Sequence, residues 1–229
     1  GIPAYTPSRK TRPDYVVTVD SRAPQVEVLR PNGGEMFGAG TTALIQWRVE
    51  DLHIAPEGVH VEVKPLDKQW STLGENLPNT GSFPWDIPRP ADAQYLVRVS
   101  VTDRAGNTGS DTSDKSFTVD GLSPTAQVTG PSISSSSPVE IEYEVNDLGG
   151  AGIREVHLYV TRDRGETWEF YASDVDGKSP VVFQELDGKY GFYTVAVDHV
   201  GNRGPAPRKG TKPQQEAIFD STPPRMEFL

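Results

Sequence analysis

A related phrase occurs three times in these 229 residues, and its central copy is Ser116-Phe117-Thr118-Val119-Asp120-Gly121-Leu122-Ser123-Pro124-Thr125-Ala126-Gln127-Val128. The phrase joins the end of one alternating apolar strand, through a short turn, to the beginning of another strand. An upstream version covers 15–26 and a downstream version covers 217–226. The same point of each version is marked by an aspartate, at intervals of 100 residues: Asp20, Asp120 and Asp220. A period of this length indicates a tandem array of whole domains and not a solenoid of short repeats.

The repeat divides the chain into two full domains with a fragment on each side. The predicted units are 1–22 (a tail and the last strand of an upstream repeat), 23–120 (domain 1), 121–220 (domain 2) and 221–229 (the start of a following repeat). About a hundred residues are enough for one modest hydrophobic core in each domain. We therefore expect the chain to be a segment of a longer protein.

Charge and composition argue against several classes of partner. The chain has 22 Lys and Arg against 32 Asp and Glu, a formal net charge of −10. Because such a surface repels phosphate backbones and anionic lipids, we expect no nucleic-acid partner and no membrane insertion. No apolar run approaches the ~20 residues that a membrane-spanning helix needs. Without cysteine, neither a disulfide framework nor a thiolate metal site can form.

Both domains show the alternation that is typical of half-buried antiparallel strands. Apolar residues recur at alternate positions in six runs: 45–49, 59–63 and 95–101 in domain 1, and 139–145, 156–160 and 190–196 in domain 2. Turn residues separate these runs, and no segment has a sustained helical period. The pattern predicts an all-β chain of two tandem antiparallel β-sandwiches with Greek-key connections. Trp47 and Tyr143 occupy matching positions, so we expect them to anchor the two cores.

One hairpin phrase is recognisable in both domains. It reads Tyr95-x-Val97-x-Val99-x-Val101-x-Asp103-x-x-Gly106-Asn107 in the first and Tyr190-x-Phe192-x-Thr194-x-Ala196-x-Asp198-x-x-Gly201-Asn202 in the second. These runs, and the run Pro31-Asn32-Gly33-Gly34-Glu35 followed by Ile45-x-Trp47, resemble the bacterial Ig-like and fibronectin type III-like modules of exported multi-repeat proteins. The resemblance implies an Ig/FnIII-like sandwich and an extracytoplasmic location, whether secreted, periplasmic or cell-surface. It implies no particular activity, because such folds serve many functions.

No catalytic constellation can be assembled from the sequence, so we expect that the chain is not an enzyme. None of the four histidines lies at metal-ligand spacing from another, and no Ser–His–Asp set can be argued from chain order. The predicted function is a non-catalytic structural or interaction module for spacing, display or adhesion, with neighbouring repeats of the same chain as partners. The alternative is an accessory module of a secreted enzyme that binds a carbohydrate or a surface protein through an apolar face of domain 2 or through Trp85. Trp85 lies in a segment bounded by prolines, so a position in the core is an equal alternative for it.

The stretch Thr161-Arg162-Asp163-Arg164-Gly165-Glu166-Thr167-Trp168 fits the Asp-box pattern known from sialidase propeller blades. A sialidase would need several copies, and the matching turn of domain 1 lacks the pattern. We interpret the stretch as a hairpin, because an aspartate can accept turn N–H groups and a glycine permits positive φ.

Acidic residues are expected to gather where the domains join. In an Ig-type sandwich the start of the first strand lies at the same end as the second–third and sixth–seventh strand loops. The two resulting sets are Asp20, Glu50, Asp51 and Asp103 before domain 1, and Asp120, Asp147 and Asp198 before domain 2. Calcium prefers such oxygen-rich sets, whereas an aspartate before a tight turn usually accepts backbone N–H groups. We expect no cofactor, with interdomain calcium as the alternative.

The outer sheet face of domain 2 is the candidate contact surface. Strand alternation turns Tyr159 outward, and it turns Tyr193 and Val195 outward on the neighbouring strand. These three residues are predicted to form an exposed apolar contact face, where domain 1 has polar residues. Exposed apolar patches often mark interaction sites. Two alternatives stay open: a register shifted by one residue, or cover of the face by the strand that contains Phe170 and Tyr171.

Overall fold

The computed structural model describes residues 17–135, 137–223 and 225. Every regular secondary-structure element in these residues is a β-strand. The strands of the first half are β1 (Gln25–Arg30), β2 (Met36–Gly38), β3 (Thr42–Glu50), β4 (Ile54–Pro65), β5 (Ser71–Leu77), β6 (Ser82–Asp86), β7 (Ala93–Asp103), β8 (Thr108–Thr112) and β9 (Phe117–Asp120). Those of the second half are β10 (Thr125–Gly130), β11 (Ile133–Ser134), β12 (Val139–Asn146), β13 (Ile153–Thr161), β14 (Glu169–Asp174), β15 (Val181–Phe183), β16 (Gly188–Asp198) and β17 (Gln215–Phe219). The described part of the chain therefore contains no helix that could cross a membrane.

Each half folds into two sheets. In domain 1 the smaller sheet has the order β1-β3-β6, and the larger has the order β2-β9-β7-β4-β5 with β8 paired to β7. Domain 2 repeats the plan with β10-β12-β15 and β11-β17-β16-β13-β14. The strand pairs are antiparallel except β2–β9 and β11–β17, which are parallel. Because buried residues from both sheets of each half pack into one hydrophobic cluster, each half is a β-sandwich, and the predicted all-β sandwich fold is confirmed.

The repeat seen in the sequence is present in the strand register. Val28 lies opposite Trp47 and Val128 lies opposite Tyr143, and in both ladders the register shifts directly after that pair. The halves differ in the segment that follows the long central strand of the larger sheet, which is β7 in domain 1 and β16 in domain 2. Domain 1 forms β8 there, whereas the corresponding described residues of domain 2 make a single antiparallel bridge between Val197 and Arg203.

Each half has its own hydrophobic cluster between its two sheets. The first cluster includes Trp47, which is 3% exposed, and the second includes Tyr143, which is 4% exposed. The two aromatic residues are therefore core residues, as their matching positions predicted. Separate clusters are expected of independently folding units, and on this basis we propose the domain limits 23–120 and 121–220, which remain a prediction.

Trp47→Ala tests whether the two halves unfold independently. Truncation of a buried tryptophan costs about 3–5 kcal/mol, so we expect one thermal transition to move to lower temperature while the other stays in place. Tyr143→Ala is the matched variant and should move only the second transition. Differential scanning calorimetry measures both, and a single transition that the two variants shift equally would contradict independent domains.

Candidate functional site

The turn after β7 explains why the sequence has Asp-x-x-Gly-Asn at this point. The Oδ1 atom of Asp103 accepts the backbone N–H groups of Ala105 (2.8 Å) and Asn107 (2.9 Å), and Oδ2 accepts the Asn107 side-chain amide (2.7 Å). Gly106 has a φ of 90°, a conformation that favours glycine. The hydrogen bond from the Asn107 amide is the main reason why the pKa of Asp103 lies below its usual value, although burial opposes the shift.

The same turn follows β16 in domain 2. Asp198 Oδ1 accepts the N–H groups of Val200 (2.9 Å) and Asn202 (2.8 Å), and Oδ2 accepts the Asn202 amide (2.8 Å). Gly201 again has a φ of 90°. In each domain the turn therefore holds one asparagine side chain in a fixed orientation at the N-terminal end of the sandwich.

Asn202 reaches beyond its own turn to the residue that joins the two domains. Its Nδ2 atom lies 3.1 Å from the carbonyl oxygen of Asp120 and 3.3 Å from Asp120 Oδ1. The same carbonyl accepts the N–H group of Ala39 in domain 1 at 2.9 Å. The Asp120 carboxylate accepts N–H groups from Ala151 (3.0 Å) and Leu122 (2.9 Å). Asp120, which is fully buried, is thus hydrogen-bonded to both domains.

The junction before domain 1 uses two of the same bonds. The Asn107 amide lies 3.2 Å from the carbonyl oxygen of Asp20. The Asp20 carboxylate accepts the N–H group of Arg22 at 3.1 Å, and the Asp220 carboxylate accepts that of Thr222 at 3.0 Å. The 100-residue period of the aspartates is therefore also a period of side-chain contacts.

The acidic residues predicted to gather before domain 2 do so. Asp120, Asp147 and Asp198 each place a carboxylate oxygen within 4.8 Å of the other two. All their carboxylate oxygens also accept hydrogen bonds from the protein, and those of Asp147 accept the N–H groups of Gly149 (3.1 Å) and Gly152 (2.6 Å). Oxygen sets of this kind can hold a divalent cation, yet the same oxygens already order the two loops.

The group before domain 1 differs from the predicted set. Asp20 and Asp51 gather with His53, whose Nδ1 atom lies 3.0 Å from Asp20 Oδ2. Glu50 and Asp103 are not members of this group: Glu50 points toward Arg48 at 3.9 Å, and Asp103 is bonded within its own turn. No sequence signal pointed to His53, because its partner lies 33 residues away.

The outer face of the larger sheet of domain 2 has a strip of aromatic rings. Tyr159 lies opposite Tyr193 in the β13–β16 ladder. Phe170 packs edge-on against Tyr159 (5.7 Å between ring centroids) and against His157 (5.5 Å), and Trp168 packs against Tyr193 (5.9 Å). These five residues, which we call the aromatic strip, lie on β16, on β13, on β14 and, in the case of Trp168, directly before β14.

The predicted contact face is only partly exposed. Tyr159 and Tyr193 are half-buried, and Val195 is 3% exposed. The expected exposure of Val195 is therefore wrong, because the residues 194–198 at the end of β16 are buried on both faces of the sheet. The strand that contains Phe170 does pack beside Tyr159, and Phe170, at 55% exposure, is the more accessible apolar side chain. The role of Tyr159, Tyr193 and Val195 in binding stays a prediction.

Trp85 belongs to the core of domain 1. Its side chain is 5% exposed, and its ring lies 5.5 Å from that of Tyr95 and 6.0 Å from that of Phe117. Because a buried ring cannot stack on a sugar, the suggested role of Trp85 in carbohydrate binding is wrong.

The Asp-box stretch of domain 2 is a hairpin that uses its polar groups internally. Asp163 accepts hydrogen bonds from the Thr167 hydroxyl (2.6 Å), the Thr167 N–H (2.8 Å) and the Thr161 hydroxyl (2.8 Å). These bonds, the Thr167 hydroxyl first, lower the pKa of Asp163 to about 2. Gly165 has a φ of 95°, and the indole N–H of Trp168 donates to the carbonyl of Thr211 (3.3 Å). The arrangement is that of a structural turn, as the sequence indicated.

No protein-family model and no curated protein matches this sequence. Among solved structures, the chain is similar to the fibronectin(III)-like modules of CbhA from Clostridium thermocellum, at 16% identity and a TM-score of 0.41, over 90% of this chain and 100% of that one. Domains of titin match at 15% identity and a TM-score of 0.47, over 86% and 66% of the two chains. The insect immune protein hemolin matches at 12% identity and a TM-score of 0.35, over 88% and 48%. These similarities concern the fold, which the sheets themselves establish.

Asp163→Asn tests the hairpin through its pH dependence. The pKa of Asp163 is about 2 in the folded chain, against about 3.9 for an ordinary aspartate. The stabilisation that ionised Asp163 gives the folded chain is therefore fully present at a pH above its pKa in the unfolded state. It is lost as the pH falls through its pKa in the folded state. We expect the variant to be less stable at neutral pH and to lose less free energy of unfolding during acidification. Denaturant titrations at several pH values measure both, with exposed Asp67→Asn as the control; equal pH profiles for Asp163→Asn and the parent chain would contradict the assignment.

A comparison of calcium with EDTA tests the acidic junction. Since the oxygens of Asp120, Asp147 and Asp198 already accept protein hydrogen bonds, we expect the same midpoint of thermal unfolding in both solutions. Bound calcium would instead raise the midpoint. If the rise disappeared in Asp147→Asn but not in Asp51→Asn, the cation would lie between the two domains.

Proposed function

We propose that this chain is a non-catalytic structural module that spaces and displays the domains attached to it. The observation that supports this function is the duplicated junction. The Asn107 amide bonds to the carbonyl of Asp20 before domain 1, as the Asn202 amide bonds to that of Asp120 before domain 2. A unit that receives the preceding segment in the same way each time is suited to repetition along a chain.

The proposed partners are neighbouring repeats of the same chain, and the proposed location is outside the cytoplasm. The location rests on the sequence resemblance to modules of exported proteins. A net charge of −10 supports the choice of partner, because it disfavours nucleic acids and anionic membranes.

A second candidate function is binding of a carbohydrate or a surface protein by the aromatic strip of domain 2. The observation that favours it is that the two domains have different side chains at matching positions on the outer face of the larger sheet. Where domain 2 pairs Tyr159 with Tyr193, domain 1 pairs Glu62 with Arg98 in an ion pair of 2.6 Å. Aromatic side chains with one exposed face often supply contact area for ligands, and Phe170 is the exposed member of the strip.

Tandem duplication of residues 21–220, which keeps three residues between the aspartate and the proline at the new junction, tests the spacing function. If the module is a spacer, the largest dimension in small-angle X-ray scattering should grow in proportion to the number of units. A freely jointed array would extend by only about 1.4-fold on doubling, since its length grows with the square root of the number of segments. A particle that stays compact, with no gain in length, would exclude a spacing function.

Phe170→Ala tests the second candidate on a glycan array and against cell-surface proteins. We expect that any ligand of the aromatic strip binds this variant more weakly, because Phe170 is its most accessible ring. Val182→Ala is the matched control, since both side chains are 55% exposed but Val182 lies in the smaller sheet. Equal loss in both variants, or retention of binding in Phe170→Ala, would exclude the strip as the binding surface.

A further inference from the structure

Domains 1 and 2 share one residue, Asp120, in a way that restricts the angle between them. Its backbone belongs to the larger sheet of domain 1, where Asp120 lies opposite Gly38 in the β2–β9 ladder. Its carboxylate lies in domain 2, where it accepts the N–H group of Ala151 at 3.0 Å. Rotation of one sandwich against the other must therefore break the bonds of Asp120 on one side.

Three glycines at the joint show how closely the two domains pack. A side chain on Gly121 would overlap with the carbonyl oxygen of Ala91 in domain 1, and one on Gly149 would overlap with the carboxylate of Asp120. A Cβ atom on Gly38 would lie 3.2 Å from the carbonyl oxygen of Val200 in domain 2. The two sides of the joint are therefore in close contact, with no room for a side chain at Gly121 or Gly149 and little room at Gly38.

We propose that the N-terminal end of domain 2 is a socket for the last residue of the preceding sandwich, and that this socket makes the joint a fixed coupling and not a flexible linker. The socket consists of the loop 147–152 and the turn 198–202, and its ligand is the terminal aspartate of a β-strand in a neighbouring sandwich, here Asp120. The proposal deepens the spacing function proposed above and rests on it.

Small polar contacts between domains ordinarily permit relative motion. In this joint, however, two donors from domain 2 converge on Asp120. One is the Asn202 amide hydrogen that does not bond to Asp198, which is shared between the carbonyl oxygen and Oδ1 of Asp120, and the other is the N–H of Ala151. A hydrogen bond of ordinary strength favours the bonded state roughly fivefold. If their contributions multiply, two of them favour the closed joint roughly twenty-five-fold.

Asn202 is the positioning residue of this socket, and Asn107 provides its control. The amides of Asn107 and Asn202 bond to the carboxylates of their own turns at 2.7 Å and 2.8 Å. Replacement by alanine therefore weakens each turn in the same way. Only Asn202 also contacts Asp120, so an effect on the angle between the domains should follow from Asn202→Ala alone.

The experiment measures the distribution of distances between the two domains. Because the chain has no cysteine, spin labels can be attached at Lys68→Cys in domain 1 and Lys178→Cys in domain 2, both at exposed positions. Double electron–electron resonance should give one narrow distribution for the labelled parent and for Asn107→Ala. Asn202→Ala should give a distribution roughly twofold wider, as expected when an interdomain contact is lost. A broad distribution in the parent, or one that stays narrow in Asn202→Ala, would overturn the proposal.

A second variant covers the case in which Asn202→Ala unfolds domain 2. In Gly149→Ala the added Cβ atom would overlap with the Asp120 carboxylate, whereas the Asn202 turn keeps all its residues. We therefore expect this variant to widen the distance distribution and to retain the domain 2 transition in calorimetry. An unchanged width in this folded variant would also overturn the proposal. Failure of the fixed joint can be told from failure of the spacing function, because a loosely jointed spacer would still gain length when residues 21–220 are duplicated.

Discussion

The side-chain amide of Asn202 shares its two hydrogens among oxygens of two aspartates, Asp198 in its own turn and Asp120 at the end of the preceding sandwich. The relation between the two domains depends on this arrangement. An aspartate, a glycine with positive φ and an asparagine are needed in fixed order, because the carboxylate must accept the N–H groups of the turn while the amide points out of it. The sequence phrase Asp-x-x-Gly-Asn therefore describes a turn and a joint together.

The two sandwiches use one framework to present different surfaces. The ladder of their first strands, its register shift and the core positions of Trp47 and Tyr143 correspond, whereas their outer sheet faces do not. In domain 1 the Arg98 guanidinium pairs with Glu62 and lies 4.4 Å from the centre of the Trp70 ring. In domain 2 the corresponding strands carry the aromatic strip instead. A constant core with variable outer positions permits one domain to acquire a contact surface while its neighbour remains a spacer.

Three aspartates of this acidic chain have a structural use. Asp120 and Asp198 are buried, and each of their carboxylate oxygens accepts a hydrogen bond from the protein. Buried carboxylates are tolerated only when such partners replace water. The hairpin of domain 2 follows the same rule, since Asp163 is held by hydroxyl and N–H groups of its own turn.

The sequence by itself determined the sandwich fold, the repeat, the core roles of Trp47 and Tyr143, and the hairpin at Asp163. These features follow from strand alternation and turn chemistry, which act between residues that are close along the chain. Only the tertiary structure decided that Val195 and Trp85 are buried and that His53 faces Asp20. Burial on the outer side of a strand and contacts between distant loops depend on which other segments pass nearby, and that placement is set by the packing of the whole domain.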